Sequence, residues 1–572
     1  MSRPGRSLRW AALALAAAAG LWVAARRPLE STGEAPRDGY TRVPAVVHVH
    51  TTLSDGGGTP DEIIAAARET GLAVLGLSDH NNLDAKAVEG YRDGVLVLVG
   101  TEISTIGGHV LALGIPDPAF RFSGDPKDAL DDVRTLGGIA FAAHPINPRA
   151  DFLFGAWDEP GPWGLEVMNG DSQWREAGLV SLARTAGLYL LNPRYALLGS
   201  LSPPVATLER WDAMLARRDV PGIVGADAHS RVPLTRKRGL RFPSYQSLFA
   251  LVRNHLLLER PLSGDFALDQ ASVLGALAGG RCYVGVDALA RAGEMSFVAD
   301  APDGRWTMGE TAPLRDGLRL RAGGRAPEGT RLRLLRDGVT FREAQGSLDE
   351  AVPGPGVYRL EAYVPGATIP WVITNPIYVF DEAAHAARDA AAAWPVPAAA
   401  PLAVEVLDAF EGATRFAPEF DSTSRMETAL LAKGSGPDGS AAARLEFRLG
   451  APGPGRPFVW CALVNREPRD LTGRRGLVFS IRADGVYRLW VQVRDTNPAS
   501  ADDGTEWWFG SVRTSTEWTR VAVPFERLRS LNPATDGRLD LDKVRSLVFV
   551  LDQGAVKPGT RGTIFIDDVG VY

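Results

Sequence analysis

The chain has 572 residues, 45% hydrophobic and 23% charged, with a net charge of −6. This length exceeds what one hydrophobic core supports and indicates roughly three or four domains, and the negative charge provides no overall basic field for nucleic acid, so we expect no nucleic-acid binding. The two cysteines, Cys282 and Cys461, fall in different predicted domains, which argues against a structural disulfide or a cysteine-rich zinc site.

The N-terminal 40 residues predict a signal or membrane-anchor segment followed by a linker. Arginines within the first nine residues precede an apolar run over residues 10–25, and Arg26 and Arg27 follow it. The run is short for a membrane span but suits a signal-peptide core. The excess of positive charge before the run predicts export of the rest of the chain. We expect a periplasmic or extracellular protein, either secreted or held at the membrane by an uncleaved N-terminal helix.

From residue 41 to about 290 the sequence alternates between apolar runs and helical patterns. The runs AVVHVH, AVLGLSDH, GVLVLVGTE, GGIAFAAH, GLEVMNG and GIVGADAH suit buried parallel strands. After the first run, Thr59 and Pro60 predict the start of a helix and Gly71 its end. In a barrel of parallel strands the strand ends meet at one face, where active sites are built. The pattern therefore predicts an α/β barrel with its site at the strand ends.

Histidines and carboxylates follow these runs at or just beyond their ends. His48 and His50 are two residues apart, which in a strand places both side chains on one face. Nitrogen and carboxylate ligands without thiolates suit Mn, Fe or Zn, and because the set is too large for one ion we expect two or three divalent ions. The candidate metal ligands are His48, His50, Asp55, His80, Glu102, His109, His144, Asp227 and His229.

Five motifs in this stretch, HVHTTLSDG, SDHNN, GTEIS, AHP and DAH, resemble the successive motifs of the PHP (polymerase and histidinol phosphatase) metallohydrolases. The resemblance covers residues 41–290 and implies a distorted (β/α)7 barrel that hydrolyses phosphoesters with clustered metal ions. It implies that Glu102 bridges two ions and that His109 matches a histidine of the trinuclear members. Ser78 stands where threonine is usual before the DH pair, a mild departure.

The ligand set predicts the chemistry. Glu102 is expected to hold two cations about 3.5–4 Å apart, with a metal-bound hydroxide between them that attacks phosphorus, while the cations neutralise charge on the phosphoryl oxygens. A three-metal site can be assigned by ligand count. One ion would take His48, His50, Glu102 and Asp227, a second Glu102, His109 and His144, and a third Asp55, His80 and His229.

The substrate contacts are less defined by the sequence. Glu102, Asp227 and Arg231 are the predicted catalytic residues, and Arg231 directly follows the DAHS motif, where it could contact phosphate. Other arginines of the barrel-face loops, Arg149, Arg194 and Arg238, could do the same or lie on the solvated surface. Three further polar residues could support the site or simply cap turns and helices: Asp79, Glu166 and Asn169.

After residue 290 the sequence becomes turn-rich and β-like. Residues 291–380 resemble the small β-sandwich often appended to exported PHP proteins, and residues 381–400 form an Ala/Pro-rich linker. Residues 401–572 resemble the galactose-binding-like jelly roll of complex I intermediate-associated proteins and carbohydrate-binding modules. The tryptophans of this last region could form a sugar-stacking platform or a buried core, and they are Trp490, Trp507, Trp508 and Trp518.

Two functions from different classes remain. The first is an exported metal-dependent phosphoesterase, a phosphatase or phosphodiesterase acting on a small phosphate ester. The second is an envelope glycan- or sugar-binding protein whose barrel is not catalytic. The complete ligand set favours the first, since a barrel without activity has no need of nine ligands.

Overall fold

The computed structural model describes residues 18, 20, 21, 23, 25–147, 149, 152–170, 179–233, 239–393, 403–500, 504–530, 532 and 534–572. Most of the predicted signal or anchor run lies outside these residues. Within the described part of the chain, no helix combines the length and apolar character needed to cross a membrane. The chain divides into two units, the first of Met1–Pro116 and Gly124–Val396 and the second of Asp117–Ser123 and Pro397–Tyr572.

The first unit begins with alternating strands and helices. Its strands up to residue 228 are β1 Thr41–Val49, β2 Val74–Leu77, β3 Gly90–Arg92, β4 Val95–Val99, β5 Thr101–Thr105, β6 Gly108–Leu113, β7 Ile139–Ala143, β8 Gly164–Asn169 and β9 Gly222–Ala228. The helices of this unit are α1 Pro60–Glu69, α2 Pro126–Thr135, α3 Leu179–Tyr189, α4 Pro193–Leu198, α5 Val205–Leu215, α6 Tyr245–Phe249, α7 Phe266–Ala278 and α8 Glu382–Ala392.

Helix α1 starts where the sequence predicts. The Thr59 hydroxyl accepts a hydrogen bond from the Glu62 N–H, and the Glu62 side chain accepts one from the Thr59 N–H, which makes a capping box. Pro60 occupies the first turn, where its missing N–H has no intrahelical partner to lose. Gly71, with φ +70°, follows the end of the helix and turns the chain toward β2.

Strand pairing in this region closes on itself. β1 lies parallel to β2 and to β9, β2 lies parallel to β4, and β8 lies parallel to both β7 and β9. β5 continues from β4 and pairs with β6, which runs antiparallel to both β5 and β7. These pairings form a closed barrel that is parallel except around β6. A buried cluster that includes Val47, Leu98, Phe141 and Ile223 joins strands from around this barrel.

The rest of the first unit is mainly antiparallel. Its strands are β10 Val232–Pro233, β11 Gly239–Leu240, β12 Arg253–Leu258, β13 Cys282–Gly285, β14 Met295–Ala301, β15 Gly304–Thr307, β16 Thr311–Pro313, β17 Arg319–Gly324, β18 Arg331–Arg336, β19 Val339–Gln345, β20 Leu348–Ala351, β21 Gly356–Tyr363, β22 Val372–Thr374 and β23 Ile377–Phe380. Pairing continues from β1 through β12 and β13 to β22. Residues 291–380 are rich in strands as expected, but they belong to the same unit as the barrel, so their separation as a domain stays a prediction.

The second unit is built of strands. They are β24 Glu405–Asp408, β25 Phe416–Phe420, β26 Arg425–Leu431, β27 Ala442–Arg448, β28 Trp460–Asn465, β29 Gly476–Ala483, β30 Arg488–Thr496, β31 Thr505–Arg513, β32 Thr519–Pro524, β33 Arg529–Ser530, β34 Val544–Asp552 and β35 Arg561–Val571. Its described residues form two six-stranded antiparallel sheets. Phe447 and Phe479 from one sheet and Leu489 and Phe549 from the other share one buried core.

The second unit also contains a segment that lies far away in sequence, Asp117–Ser123. Phe120, which is buried, forms a β-bridge with Val556. The Arg488 Nε donates a hydrogen bond to the Arg121 carbonyl over 2.8 Å, and the Arg121 N–H donates to the Ala555 carbonyl. The sequence boundary at residue 401 therefore omits a segment that belongs with this unit.

Candidate metal centre

The HxH pair lies at the end of β1, where the strand is not regular. His48 has a φ of +65°, and the pairing of β1 with both neighbours shifts register around it, between Val47 and Val49 on the β9 side. Such an irregularity redirects side chains, and a non-glycine residue at positive φ is strained. The His48 and His50 rings lie 5.1 Å apart between centroids. Both histidines reach one site, but through a bulge rather than through the simple alternation expected from the sequence.

Two more candidate ligands share this unusual backbone. Asp227, at the end of β9, has a φ of +50°, and His144, just after β7, has a φ of +31°. Strained non-glycine residues persist only where the surrounding structure holds them, and they concentrate at functional sites. The ends of three barrel strands are therefore shaped to direct polar side chains toward one place.

Glu102 is buried at the centre of the cluster, with each carboxylate oxygen facing a different set of histidines. Its Oε1 lies 2.6 Å from His109 Nδ1 and 2.9 Å from His144 Nε2. Burial alone would raise the pKa of Glu102, but the charge of His48 and the hydrogen bonds of His109 and His144 hold that pKa well below its usual range. Glu102 is therefore a buried and ionised carboxylate.

The other oxygen of Glu102 faces the HxH pair. Oε2 lies 3.1 Å from His48 Nε2 and 3.1 Å from His50 Nε2. Asp227 Oδ1 lies 3.5 Å and 3.3 Å from the same two nitrogens. Although burial raises the pKa of Asp227, the charges of His48 and His229 hold it well below its usual range. Two ionised carboxylates and two imidazoles therefore converge in one buried space.

Asp55 gathers a third set of ligands nearer to solvent. Its Oδ2 lies 3.2 Å from His229 Nε2, and its Oδ1 lies 3.8 Å from His80 Nε2 and 3.7 Å from His50 Nδ1. His80 also turns its Nδ1 toward Glu102 Oε2, at 3.3 Å. The Asp55 side chain is 50% exposed, so this part of the cluster has an open side.

Ligand atoms lying within 4.8 Å of one another form three groups among the described residues. They are His48, His50, Glu102 and Asp227, then His50, Asp55, His80 and His229, and finally His80, Glu102 and His109. The first group matches one set expected from the sequence. His50 belongs to the first and second of these groups, and His80 belongs to the second and third. The assignment of His80 and His144 to individual ions therefore stays a prediction.

The buried nitrogens support a cation at this position. His48 Nε2, both ring nitrogens of His50 and His144 Nδ1 are buried without a hydrogen-bond partner. Buried polar atoms are normally paired, and exceptions call for an explanation such as an ion. Imidazole nitrogens with carboxylates and no thiolate are donors that Mn, Fe and Zn accept. The residues therefore fit a cluster of divalent ions.

Asp79 organises the loop that carries Asp55. It accepts hydrogen bonds from the Thr51 N–H and the Thr51 hydroxyl, each over 2.8 Å, and from the Ser54 hydroxyl. The main-chain carbonyl of Asp79 accepts a further hydrogen bond, from the Thr101 hydroxyl over 2.7 Å. Of the two roles open to Asp79 from the sequence, the structure shows the capping of a turn rather than direct orientation of a ligand side chain.

The Gly-rich stretch after Asp55 allows two ligand-bearing loops to approach closely. A β-carbon on Gly56 would lie 2.2 Å from the His50 carbonyl oxygen, and one on Gly57 would lie 2.4 Å from the Ser230 carbonyl oxygen. Neither distance leaves space for a side chain. The glycines after Asp55 are therefore required by packing against the segments of His50 and His229.

The Tyr245 hydroxyl contacts the same loops, a role that was not predicted from the sequence. The carbonyls of His50 and His229, at 2.8 and 3.0 Å, share its single proton. Its oxygen accepts from the N–H groups of Gly57 and Gly58 over 3.2 and 3.3 Å. Tyr245 opens the short helix α6, more than 180 residues after His50 along the chain. No local sequence signal marks a contact of this separation.

Glu166 lies against the cluster rather than capping a helix. Its Oε1 lies 2.6 Å from His48 Nδ1, and its Oε2 accepts from the His144 N–H and from the Asn169 Nδ2, each over 2.8 Å. Both Glu166 and Asn169 belong to β8 and are buried. Their position at the end of a strand was recognised from the sequence, but their partners were not.

Two of the candidate arginines lie near the cluster. Arg231 Nη1 donates to the Asp55 carbonyl over 3.3 Å. The Arg149 guanidinium, which is exposed, lies 4.2 Å above the ring of Phe152, and that ring lies 4.8 Å from the His109 ring. The contact of either arginine with phosphate stays a prediction.

The other two arginines differ from the expectation. Arg194 donates to the main-chain carbonyls of Ala288 and Arg26, so its guanidinium is committed to backbone acceptors instead of a barrel-face site. Its contact with phosphate stays a prediction. Arg238 lies outside the described residues.

The tryptophans of the second unit separate by face. Trp508 belongs to the buried core between the two sheets, so it is not part of an exposed platform. Trp490 and Trp507 lie on the other face of the same sheet, where Arg494 covers the Trp507 ring at 3.9 Å. Trp518 packs beside Phe565, with ring centroids 6.4 Å apart.

Parts of this chain are similar to known proteins. Residues 47–123 match the family model of the PHP domain. An uncharacterized protein of Methanocaldococcus jannaschii is 28% identical over 140 residues, which cover 22% of this chain and 81% of that protein. A 3′,5′-nucleoside bisphosphate phosphatase of Chromobacterium violaceum is 39% identical over 80 residues, which cover 13% of this chain and 28% of that protein.

Solved structures show weaker overall similarity. A two-domain protein of Bacteroides vulgatus containing a predicted PHP-like metal-dependent phosphoesterase is 16% identical and covers 61% of this chain and 99% of its own, with a TM-score of 0.27. A family 11 carbohydrate-binding module of Clostridium thermocellum is 17% identical and covers 30% of this chain and 96% of its own, with a TM-score of 0.25. The match to the PHP domain model, over residues 47–123, includes the first six candidate ligands, from His48 to His109.

Proposed function

We propose that this protein is an exported metal-dependent phosphoesterase that acts on a small phosphate ester. One observation carries the proposal. The buried carboxylate of Glu102 has histidine nitrogens within 3.3 Å of both oxygens, His109 and His144 on one side and His48, His50 and His80 on the other. A carboxylate placed in this way could bridge two divalent ions.

The chain's own groups have distinct roles in this proposal. Glu102 and Asp227 supply negative charge in a buried site lined by imidazole nitrogens, and this favours divalent cations of the Mn, Fe or Zn type. Bound ions would lower the pKa of water and neutralise the charge of the phosphoryl oxygens. Arg231, held against the Asp55 loop, would contact the phosphate from the exposed side of the cluster.

The phosphatase of Chromobacterium violaceum supports phosphate esters as the substrate class, over the 80 residues that match. The finer architecture belongs to the same proposal. Residues 41–290 would form a distorted (β/α)7 barrel, residues 291–380 a small β-sandwich and residues 401–572 a jelly roll. The N-terminal segment would direct export and, if uncleaved, hold the protein at the membrane.

Hydrolysis of a chromogenic phosphoester tests the activity. Purified protein loaded separately with Mn²⁺, Fe²⁺ and Zn²⁺ should release the chromophore with at least one metal, and chelation should abolish the release. Glu102→Gln should lose bound metal and activity together while its circular dichroism stays that of the wild type. Glu343→Gln, a change on the exposed strand β19, is the control and should be fully active. A Glu102→Gln protein with full metal content and full activity would exclude the bridging role.

Glycan binding by the second unit is a second candidate, with the barrel serving no catalysis. It is favoured by Trp490 and Trp507, which lie on the face of their sheet turned away from the core. Calorimetric titration with soluble β-glucans would show binding that Trp507→Ala weakens and Trp518→Ala does not. Phosphoesterase activity without any glycan binding would argue against this second candidate and support only the first.

A further inference from the structure

Glu166 contacts the metal centre only through other residues. Its side chain is buried in β8, and its Oε1 lies 2.6 Å from His48 Nδ1. The other oxygen of Glu166 accepts from two N–H donors, so the carboxylate acts as an acceptor here and the short contact places a proton on His48 Nδ1. In the neutral imidazole that metal binding requires, the lone pair of His48 is then on Nε2, which faces Glu102 and Asp227. The contact selects the ring nitrogen that is available to a metal ion.

The second oxygen of Glu166 acts on another candidate ligand. Oε2 accepts from the main-chain N–H of His144 over 2.8 Å and from the Asn169 side chain over 2.8 Å. His144 has a φ of +31°, a conformation that needs support from its surroundings. One carboxylate therefore orients the ring of His48 and holds the backbone of His144.

Space for this carboxylate is provided by β9. A β-carbon added to Gly225 would lie 1.8 Å from Glu166 Oε1 and 2.2 Å from its carboxyl carbon. Gly225 is two residues before Asp227 on the same strand. The absence of a side chain at position 225 lets the carboxylate lie flat against the strand that carries another candidate ligand.

We propose that Glu166 is a positioning residue of the metal centre, which fixes His48 in the Nδ1–H tautomer and holds His144 so that both can bind metal. The inference rests on the proposed function, because it presumes that the cluster binds divalent ions. It predicts that metal affinity depends on a residue that touches no ion.

Glutamine at position 166 cannot replace the carboxylate. If its oxygen faces His48, its amide N–H₂ opposes two donors, the His144 N–H and the Asn169 amide. If its N–H₂ faces His48, then Nδ1 must accept and the proton moves to Nε2, which blocks the metal-facing nitrogen. Glu166→Gln should therefore lower the affinity for at least one ion per chain by about 10- to 100-fold, as for other partners of metal-binding histidines.

The measurement is Co²⁺ and Zn²⁺ binding against a competing chelator, with ions per chain counted by elemental analysis. Glu361→Gln is the matched control, because Glu361 is also a buried carboxylate of the first unit but pairs with Arg359 outside the cluster. Wild type and Glu361→Gln should bind the same number of ions with the same affinity. Wild-type affinity in a folded Glu166→Gln protein would overturn the inference.

Two further measurements keep the inference testable if Glu166→Gln does not fold. Gly225→Ala leaves the carboxylate intact but displaces it, and it should weaken metal binding in the same way; unchanged affinity would argue against the inference. In Zn²⁺-loaded wild type with ¹⁵N-labelled histidine, His48 should show a protonated Nδ1 and a metal-bound Nε2, and the opposite tautomer would overturn it. A wild-type protein that binds no metal would instead refute the proposed function.

Discussion

His109 Nδ1 lies 2.6 Å from Glu102 Oε1, although the two residues occupy different strands joined by a short turn. β5 and β6 pair antiparallel, with Ser104 opposite His109, so Glu102 and His109 are diagonal neighbours across the pair. This antiparallel hairpin departs from a purely parallel barrel. It brings a sixth histidine to the cluster that a parallel strand order alone would not provide.

The first prediction concerns this pair. His109→Ala should lose about one metal ion per chain and most of the phosphoesterase activity, because it removes a buried nitrogen beside the shared carboxylate. Elemental analysis of dialysed protein measures the metal, and the chromogenic assay measures the activity. His385→Ala removes a histidine on helix α8 that lies outside the cluster, so it should match the wild type in both. Equal metal content in His109→Ala and wild type would show that His109 is not a ligand.

The second prediction concerns metal and stability. A ligand that binds only the folded state stabilises it, by about 2.7 kcal/mol when its concentration is 100 times its dissociation constant. Chelation should therefore lower the melting temperature of the wild type, and re-addition of Mn²⁺ or Zn²⁺ should restore it. Differential scanning calorimetry provides the measurement. Glu102→Gln should show a smaller shift, and a shift of wild-type size in that variant would place the stabilising ion elsewhere.

The third prediction concerns Phe120, which is buried in the second unit. Its ring lies 5.6 Å from the Arg488 guanidinium and 6.1 Å from the Phe122 ring. Phe120→Ala should destabilise the second unit by about 3–5 kcal/mol, as removal of a buried aromatic ring does elsewhere. Hydrogen exchange of the strands β28, β30 and β34 reports on that unit.

Phe420→Ala is the control for this change, because the Phe420 side chain is 40% exposed in the same unit. It should change the exchange rates of these strands far less than Phe120→Ala. If both variants exchange alike, residues 117–123 do not contribute to the stability of the second unit.

The candidate ligands could be predicted from the sequence because each follows an apolar run and strand ends meet at one face of a barrel. The backbone conformation that directs these side chains toward one site could not be predicted. The bulge at His48 and the positive φ of Asp227 depend on strand register, which a local pattern does not specify.

Contacts between residues far apart in the sequence could not be predicted either. Glu166 and Gly225 fit together only because β8 and β9 pair in the barrel, and nothing near either residue indicates the contact. Arg194 follows a loop position that suits a phosphate contact, but its guanidinium donates to the backbone carbonyls of Ala288 and Arg26. Side-chain partners of this kind follow from tertiary packing and not from spacing along the chain.

The last prediction concerns the Tyr245 hydroxyl, which joins the segments of His50, His229 and the glycine loop after Asp55. Tyr245→Phe should leave buried carbonyl and N–H groups without this partner, at a cost of about 1–3 kcal/mol. Because all three segments carry ligands of the group around Asp55, we expect weaker binding of the ion held there and a smaller effect on the ion between Glu102 and Asp227.

Metal titration of Tyr245→Phe with a chelator of known affinity separates these two effects, since only part of the bound metal should become easier to remove. Tyr378→Phe is the matched control, because the buried Tyr378 hydroxyl also accepts a main-chain N–H, that of Val220, but lies outside the ligand loops. Both variants should lose stability, and only Tyr245→Phe should lose metal. Equal metal affinity in the two variants would show that the Tyr245 hydroxyl contributes to stability alone and does not position the ligands.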